Sequence, residues 1–413
     1  MRATWRSACL LLAVAPVAAV LLAPRAPAQN VPLSALPFLE ISPSPALNAV
    51  GGAGVGAVEP DPHGFLYNPA ALGLVAREAR ALSAVYPGGA TDWLAVGDLS
   101  FGSTALGAGF GARPAGLPLA IGVGLAETAL RFGERVVVDA EGAPLGAYEP
   151  TDRYYALALG AATTGAARVG VGATVRHVRS TDRVVLGEDG VETANVWGFT
   201  FDLGLLAEAD VTRLLGEPPL GRLRPALSVA AGYAQTNIGG EVAYTGSPKA
   251  PLPRTARLGW SARAGLDLPT AVGPLRLAEA TLSIQAEHSL VRHGEAPGQY
   301  RYAALLGDLD PLSNGLLGDG TDTVTGRRGW RIAVGETVVY SRGGFDGWGF
   351  RDVEAYGFEV RAAGPLKAVA LLSGDRRLAD WSRRFDLRFT RSVVFSGETN
   401  ESVFSGLTLV VRR

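Results

Sequence analysis

Apolar and small or polar residues alternate with a period of two through most of the chain. In Leu117 to Glu127, one face is Leu117, Leu119, Ile121, Val123 and Leu125, and the other is Pro118, Ala120, Gly122, Gly124 and Ala126. In Ala167 to Val178, Val169, Val171, Ala173 and Val175 oppose Arg168, Gly170, Gly172, Thr174 and Arg176. In Ala194 to Ala207, Trp197, Phe199, Phe201, Leu203 and Leu205 oppose Val196, Gly198, Thr200, Asp202 and Gly204. Arg254 to Leu268 sets Ala256, Leu258, Trp260, Ala262, Ala264 and Leu266 against Arg257, Gly259, Ser261, Arg263 and Gly265. Phe385, Leu387 and Phe389 repeat the pattern against Asp386, Arg388 and Thr390. Such segments, bounded by turn residues, predict strands. Counting from about Ala81 to Tyr86, with Thr91 to Ala112 as one long or interrupted strand, gives roughly fourteen; a finer division gives roughly fifteen or sixteen.

Two architectures share this alternation. A soluble sandwich turns the apolar face toward a second sheet, and a membrane barrel turns it toward lipid. Gly107, Gly109 and Gly111 favour the barrel, since glycine is costly in a strand and makes sense where another backbone comes close. Link lengths point the same way. Short links at Arg113–Gly116 and Thr163–Ala166 alternate with long ones at Ala129–Asp152, Ser180–Thr193 and Arg292–Arg327. Short turns on one rim and long loops on the other belong to outer-membrane barrels. Beyond Ala28 every apolar run is cut short by glycine, arginine or a carboxylate, so no transmembrane helix is expected. The fold expected is an all-β, transmembrane antiparallel β-barrel of about fourteen strands, preceded by a plug-like segment.

The N-terminus supplies the compartment. Arg2 and Arg6 precede an apolar run from Ala8 to Ala23, and Ala26-Pro27-Ala28 offers small residues for cleavage before Gln29. The only cysteine, Cys9, lies in that segment, so no disulfide or cysteine metal site is expected in the mature protein. Net charge is −1, with Lys249 and Lys367 the only lysines, and no basic excess exists to bind nucleic acid.

Catalytic and metal patterns are missing. Gly52-x-Gly54-x-x-Ala57 has no strand before it, and Pro60 and Pro62 break the helix that a dinucleotide site requires. His63, His177, His288 and His293 have no metal-ligand spacing, and His288 and His293 are expected at a solvated rim. Asp308, Asp310, Asp319 and Asp322 form an acidic stretch without an EF-type pattern, read here as a flexible solvated loop. No enzyme activity, cofactor or metal is expected. Charge on a lipid face costs ~2–4 kcal/mol at the midplane, which assigns Arg168, Arg176, Asp202, Arg257, Arg263, Glu279 and Glu287 to the lumen. There they either hold plug and wall together or line a ligand path.

Phe38 to Val75 is a different kind of sequence. It carries Gly51, Gly52 and Gly54, then Asp61, then Tyr67-Asn68-Pro69-Ala70-Ala71-Leu72, with Asn68 placed to cap a short helix starting at Pro69. Its prolines forbid a wall strand, which makes Gly51, Gly52, Asp61, Tyr67, Asn68 and Pro69 candidate plug residues. This segment resembles the N-terminal region of the PorV/PorQ family, relatives of FadL-type barrels. Phe132-Gly133-Glu134 through Asp152–Ala158, Asn237-Ile238-Gly239, and Leu252-Pro253-Arg254 through Gly259 resemble further family blocks in the same order. The end, Leu409-Val410-Val411-Arg412-Arg413, departs from the aromatic finish of such barrels. The chain is thus expected to divide into a cleaved signal peptide (1–28), an N-terminal plug or periplasmic segment with a short helix (29–80) and an outer-membrane barrel (81–413). The resemblance implies a component of an export system of the type IX kind, with secretion subunits and exported cargo as partners beside membrane lipid. The alternative is a FadL-like passive transporter of small hydrophobic molecules.

Overall fold

The structure is a computed structural model that describes residues 34–76, 79–85, 99–112, 118–139, 141–187, 190–216, 221–243, 249–293, 299–396 and 400–412. The expected export segment with Cys9, the expected strand end at Tyr86 and the Arg113–Gly116 link lie outside these residues. Fourteen strands close into one antiparallel barrel. In chain order they are β1 (Ala79–Val85), β2 (Ser100–Ala112), β3 (Leu119–Arg131), β4 (Thr151–Thr163), β5 (Ala167–Gly187), β6 (Gly190–Asp210) and β7 (Arg224–Ile238). Then come β8 (Thr255–Thr270), β9 (Gly273–Ser289), β10 (Val324–Val334), β11 (Val338–Gly347), β12 (Phe350–Arg361), β13 (Phe385–Ser396) and β14 (Asn400–Arg412). Each strand pairs with its neighbours in sequence, and β1 closes the ring on β14 with Leu82 opposite Leu409. Closure leaves no unpaired edge, the condition for a sheet to stand in lipid.

The alternation decides which face is which. On β6, Trp197, Phe199, Phe201, Leu203 and Leu205 are 48% to 69% exposed, whereas Thr200 and Asp202 between them are at most 1% exposed. The pattern is inverted relative to a soluble protein: apolar outside, polar and buried inside. Tyr155, Trp330, Tyr340, Tyr356 and Phe358 extend the outward aromatic surface around the barrel. A continuous apolar surface of this kind is stable against lipid chains and not against water. Among the described residues no helix is long and apolar enough to cross a membrane.

Two link expectations are corrected. Ser180–Thr193 is not a loop, because β5 and β6 continue their ladder to Gly187 opposite Gly190 and project as a long hairpin. The rim that holds the short turns and both ends of the barrel also carries long links. One contains α3 (Val211–Leu215), and another contains α4 (Ala363–Ser373) and α5 (Arg376–Arg384). These helices take their numbers after α1 (Pro45–Asn48) and α2 (Ala71–Val75) of the N-terminal segment.

The acidic stretch on the opposite rim is folded. Residues 299–323 lie against the outer wall of β7 to β10, where the Trp260 indole donates to the Leu316 carbonyl at 2.9 Å and the Tyr233 hydroxyl donates to the Leu305 carbonyl at 2.5 Å. Ala256, Ala286, Leu290, Leu309 and Val324 form an apolar cluster beneath this flap. Asp310 caps the single π-turn Pro311–Leu316, Asp308 pairs with Arg292, and Asp319 pairs with Arg328. Asp308, Asp310 and Asp319 are thus used one by one. His288, expected at a solvated rim, is 4% exposed and hydrogen-bonds the Thr323 carbonyl under the flap. The side chain of His293 lies outside the described residues.

The outward register of β6 is testable. Leu203→Arg should destabilise the barrel by ~2–4 kcal/mol, the cost of a cation near the midplane. Urea titration of the protein refolded in vesicles measures it, and an unchanged midpoint would show that Leu203 does not meet lipid.

Candidate functional site, a plugged lumen with two cavities

Residues 34–76 run inside the barrel. Proline sets their local structure: Pro45 opens α1, and the Ser44 hydroxyl caps it by accepting from the Leu47 amide at 3.1 Å. The chain then reverses through Gly51 and Gly52 at φ 68° and 77°, a left-handed conformation that a side chain would strain. The Asn68 carboxamide oxygen accepts from the Ala70 amide at 3.1 Å, but α2 itself starts at Ala71, later than the Pro69 start expected from the sequence. The difference arises because Pro69 and Ala70 form a turn against the wall instead of the first helical residues.

Wall glycines make room for this chain. A methyl on Gly160 would stand 2.7 Å from the Pro69 carbonyl oxygen, and one on Gly170 would stand 2.9 Å from the Leu74 side chain. Gly109 likewise faces Ala76, and Gly107 lies toward Leu72 and Pro62. The plug's Gly56 lies against the backbone of Trp260. Where the wall has no glycine it offers a hydrogen bond: the Gln285 carboxamide oxygen accepts from the Gly54 and Val55 amides at 3.0 and 2.9 Å. Asn68 donates to the Val55 carbonyl at 2.9 Å and to the Leu205 carbonyl at 3.0 Å, tying two plug turns to β6.

The inward arginines complete the attachment. Arg168 donates to the Leu74 carbonyl at 3.1 Å, Arg176 to Leu66 at 3.2 Å, and Arg263 to Val58 at 2.7 Å. Arg327 reaches the Gly51 carbonyl at 3.1 Å and Arg331 the Ala46 carbonyl at 3.2 Å. Each guanidinium also faces a carboxylate. Arg168 pairs with Glu208, Arg176 with Asp202 at 2.5 Å, Arg327 with Glu287 at 3.4 Å, and Arg263 and Arg331 with the plug's Glu59. Arg257 pairs with Glu287 at 2.8 Å and stands 5.2 Å over the Tyr67 ring. Burial works against the Glu59 carboxylate, but the charges of Arg331 and Arg263 outweigh it and hold it below the usual carboxylate range. Asp61 accepts from the Ser44 hydroxyl and the His63 amide, while His63, fully buried, meets the Ser103 hydroxyl at 3.1 Å.

Of the inward candidates, Arg168, Arg176, Asp202, Arg257, Arg263 and Glu287 belong to this attachment. Glu279 does not: it pairs with Arg276 nearer the rim where β1 starts and β14 ends. Glu59, Gln285, Arg327 and Arg331 escaped the sequence reading. Arg327, Gly329 and Arg331 carry the same arginine–glycine alternation as Arg257 to Arg263, which was the signal available.

A cavity lies on each side of the plug. On the loop side, about 190 Å³ is bounded by Glu40, Tyr67, Tyr154, Arg257, Arg327 and Phe404, among others. On the other side, about 460 Å³ is bounded by Glu59, Arg263, Arg276, Glu279, Lys367 and Arg388, among others. Glu40 opens onto the first cavity, yet protein walls that cavity. Its side chain is exposed to that space, but the protein massed around it, reinforced by Glu287, pushes its carboxyl up to about 7 against the pull of Arg257 and Arg327. Among the described residues, no group of His, Cys, Asp and Glu side chains is arranged to hold a metal.

Two outcomes follow from this geometry. Arg176→Met strands Asp202 in the lumen and should cost ~3–5 kcal/mol, most of it recovered when Asp202→Asn is added; urea midpoints of the two variants measure this. Glu40 has an ordinary value of 4.5 and a folded value of about 7, so the unfolded chain releases its proton first. Its contribution to stability therefore falls as pH rises from 4.5 to 7, and Glu40→Gln should flatten that part of the profile. Midpoints that stay parallel for both proteins across this window would exclude it.

No family model and no curated protein matches the chain. Among solved structures it is similar to the CymD monoaromatic hydrocarbon channel, at 12% identity and a TM-score of 0.37, over 89% of this chain and 97% of that one. The translocator domain of the autotransporter NalP from Neisseria meningitidis is similar at 12% identity and 0.36, over 81% and 88%. The Pseudomonas putida toluene transporter TodX is similar at 10% identity and 0.35, over 89% and 96%. Likeness at this level extends no further than the shape of a barrel.

Proposed function

We propose that the protein is an outer-membrane barrel of the PorV/PorQ type, exported behind a cleaved signal peptide, and a non-enzymatic interaction component of an export system of the type IX kind. The observation that carries this reading is the way the lumen is filled. Plug backbone is pressed into wall glycines and held by five wall arginines, an arrangement suited to permanence more than to passage. The loop rim supports the same reading, since the flap turns Leu305, Leu312, Leu316 and Leu317 outward at 50% to 71% exposure. Exposed apolar patches framed by charge mark interaction sites. Secretion subunits or exported cargo are the partners it fits.

A second reading is FadL-like passive transport of small hydrophobic molecules. It is supported by the loop-side cavity of about 190 Å³, whose wall includes Leu39, Ile41, Leu66, Val353 and Phe404. The lower cavity, lined mostly by charged residues, counts against an apolar path.

Removal of Ser42 to Leu66 separates the readings. The shortened barrel should still insert and shift on an unboiled gel, and it should conduct ions in planar bilayers where the full chain does not. Leu312→Ser with Leu316→Ser and Leu317→Ser should release partners that co-purify in detergent, with conductance unchanged. Uptake of a small aromatic hydrocarbon into vesicles by the full chain, with no partner retained, would favour transport instead.

A further inference from the structure

The rim where β1 starts and β14 ends carries two helical elements that barrel closure does not require. The first is the pair α4 and α5. Lys367 and Ala370 of α4 face inward, Lys367 binding the Glu336 carboxylate and the Pro274 carbonyl at the neighbouring turns. The opposite face, Pro365, Ala368, Val369 and Leu372, is exposed and apolar throughout, with Leu372 at 90% exposure. On α5, Trp381 is 63% exposed and shares its face with Arg377 and Arg384. Arg376, Arg377 and Arg384 form no ion pair among the described residues. The second element is α3, where Leu214 and Leu215 are exposed beside Arg213.

We infer that α4, α5 and α3 lie in the headgroup layer of the leaflet at this rim, their apolar side chains in the acyl boundary and their arginines on anionic phospholipid phosphates. Three observations select lipid over a protein partner. The Trp381 ring packs at a tilt against Phe385 with 5.5 Å between ring centroids, and Phe385 opens the outward apolar face of β13, so the exposed helical surface continues the lipid-facing belt. The link between β6 and β7 and the link between β12 and β13 lie on well-separated arcs of the ring, with the β8–β9 and β10–β11 turns between them on one side. A leaflet encircles the barrel and meets both, whereas one protein would have to reach around the rim. Finally, apolar side chains beside arginine, with a tryptophan at the boundary, are the composition of helices that rest in an interface. Guanidinium groups suit phosphate because they present paired donors, and each basic group near an anionic surface adds to the attraction.

The test uses the whole protein refolded into nanodiscs of phosphatidylcholine, or of phosphatidylcholine with phosphatidylglycerol. Amide exchange of residues 211–216 and 363–384 should be several-fold slower in the anionic discs. Arg376→Glu with Arg377→Glu and Arg384→Glu should abolish the difference for 363–384 and leave 211–216 protected. Leu372→Ser should speed exchange of α4 in both lipids. Exchange of β13 amides in the same samples reports whether the barrel is intact, and if the triple variant does not fold, the comparison of lipids with the unaltered protein decides. Equal exchange in the two lipids, or protection that arrives only with an added soluble protein, would overturn the inference. Neither result bears on partner retention by the flap.

Discussion

An irregular chain inside a barrel brings carbonyl oxygens that no strand ladder satisfies, and the arginines of this wall are where those oxygens find donors. The wall strands commit their backbone N–H groups to the closed ladder and so offer the plug carbonyls no backbone donors. Side chains must supply the rest, and a guanidinium can serve a carbonyl and a carboxylate at once because its donors point in several directions. Arg176 does so between the Leu66 carbonyl, Asn237 and Asp202; Arg331 does so between the Ala46 carbonyl and Glu59. Lysine, with one compact charge, could not make the same set of contacts. The abundance of arginine has a structural use here, whatever its origin in composition.

The same demand accounts for the glycines. Each carbonyl must come within hydrogen-bonding range of a wall side chain, which draws the plug backbone close to strands on several sides. A side chain on Gly160 or Gly170 would hold it away. The wall therefore accepts the weaker strand propensity of glycine in exchange for contact, with Gln285 filling the place where two plug amides point outward. Polar attachment and close approach are two consequences of one packing problem.

The barrel could be read from the sequence because lipid imposes a period of two on every strand, and that period survives in residues as unlike as Trp197 and Ala264. The inward assignment of Arg257 and Arg263 rested on the same rule, since a one-residue slip would have put both in lipid. The flap was not legible. Its leucines lie among Asp308, Asp310 and Gly318, a composition that reads as a loop, and nothing local shows that Ala256 and Ala286 await a cover on the outer wall. Nor was the division of labour among the charges. Glu279 and Glu287 fall on the same phase of one strand's alternation, yet Glu279 with Arg276 faces the open lower cavity and Glu287 with Arg257 braces the plug, a difference set by height in the barrel.

The two rims are built for different surroundings. At the loop rim, apolar outward residues are covered by chain: Trp260 and Leu258 lie under the flap, which then presents leucines of its own. At the other rim, the apolar belt is extended by helices whose basic groups stand beside their apolar faces. Covering lipid-facing residues with a protein flap removes that sector from contact with acyl chains and replaces it with a surface whose shape is fixed by hydrogen bonds. A surface fixed in that way can be recognised, whereas a bare apolar wall cannot distinguish one neighbour from another. The plug contributes to the same end from inside. By bracing β8, β9 and β10 through Gly56, Gln285 and Arg331, it steadies the strands on which the flap is laid.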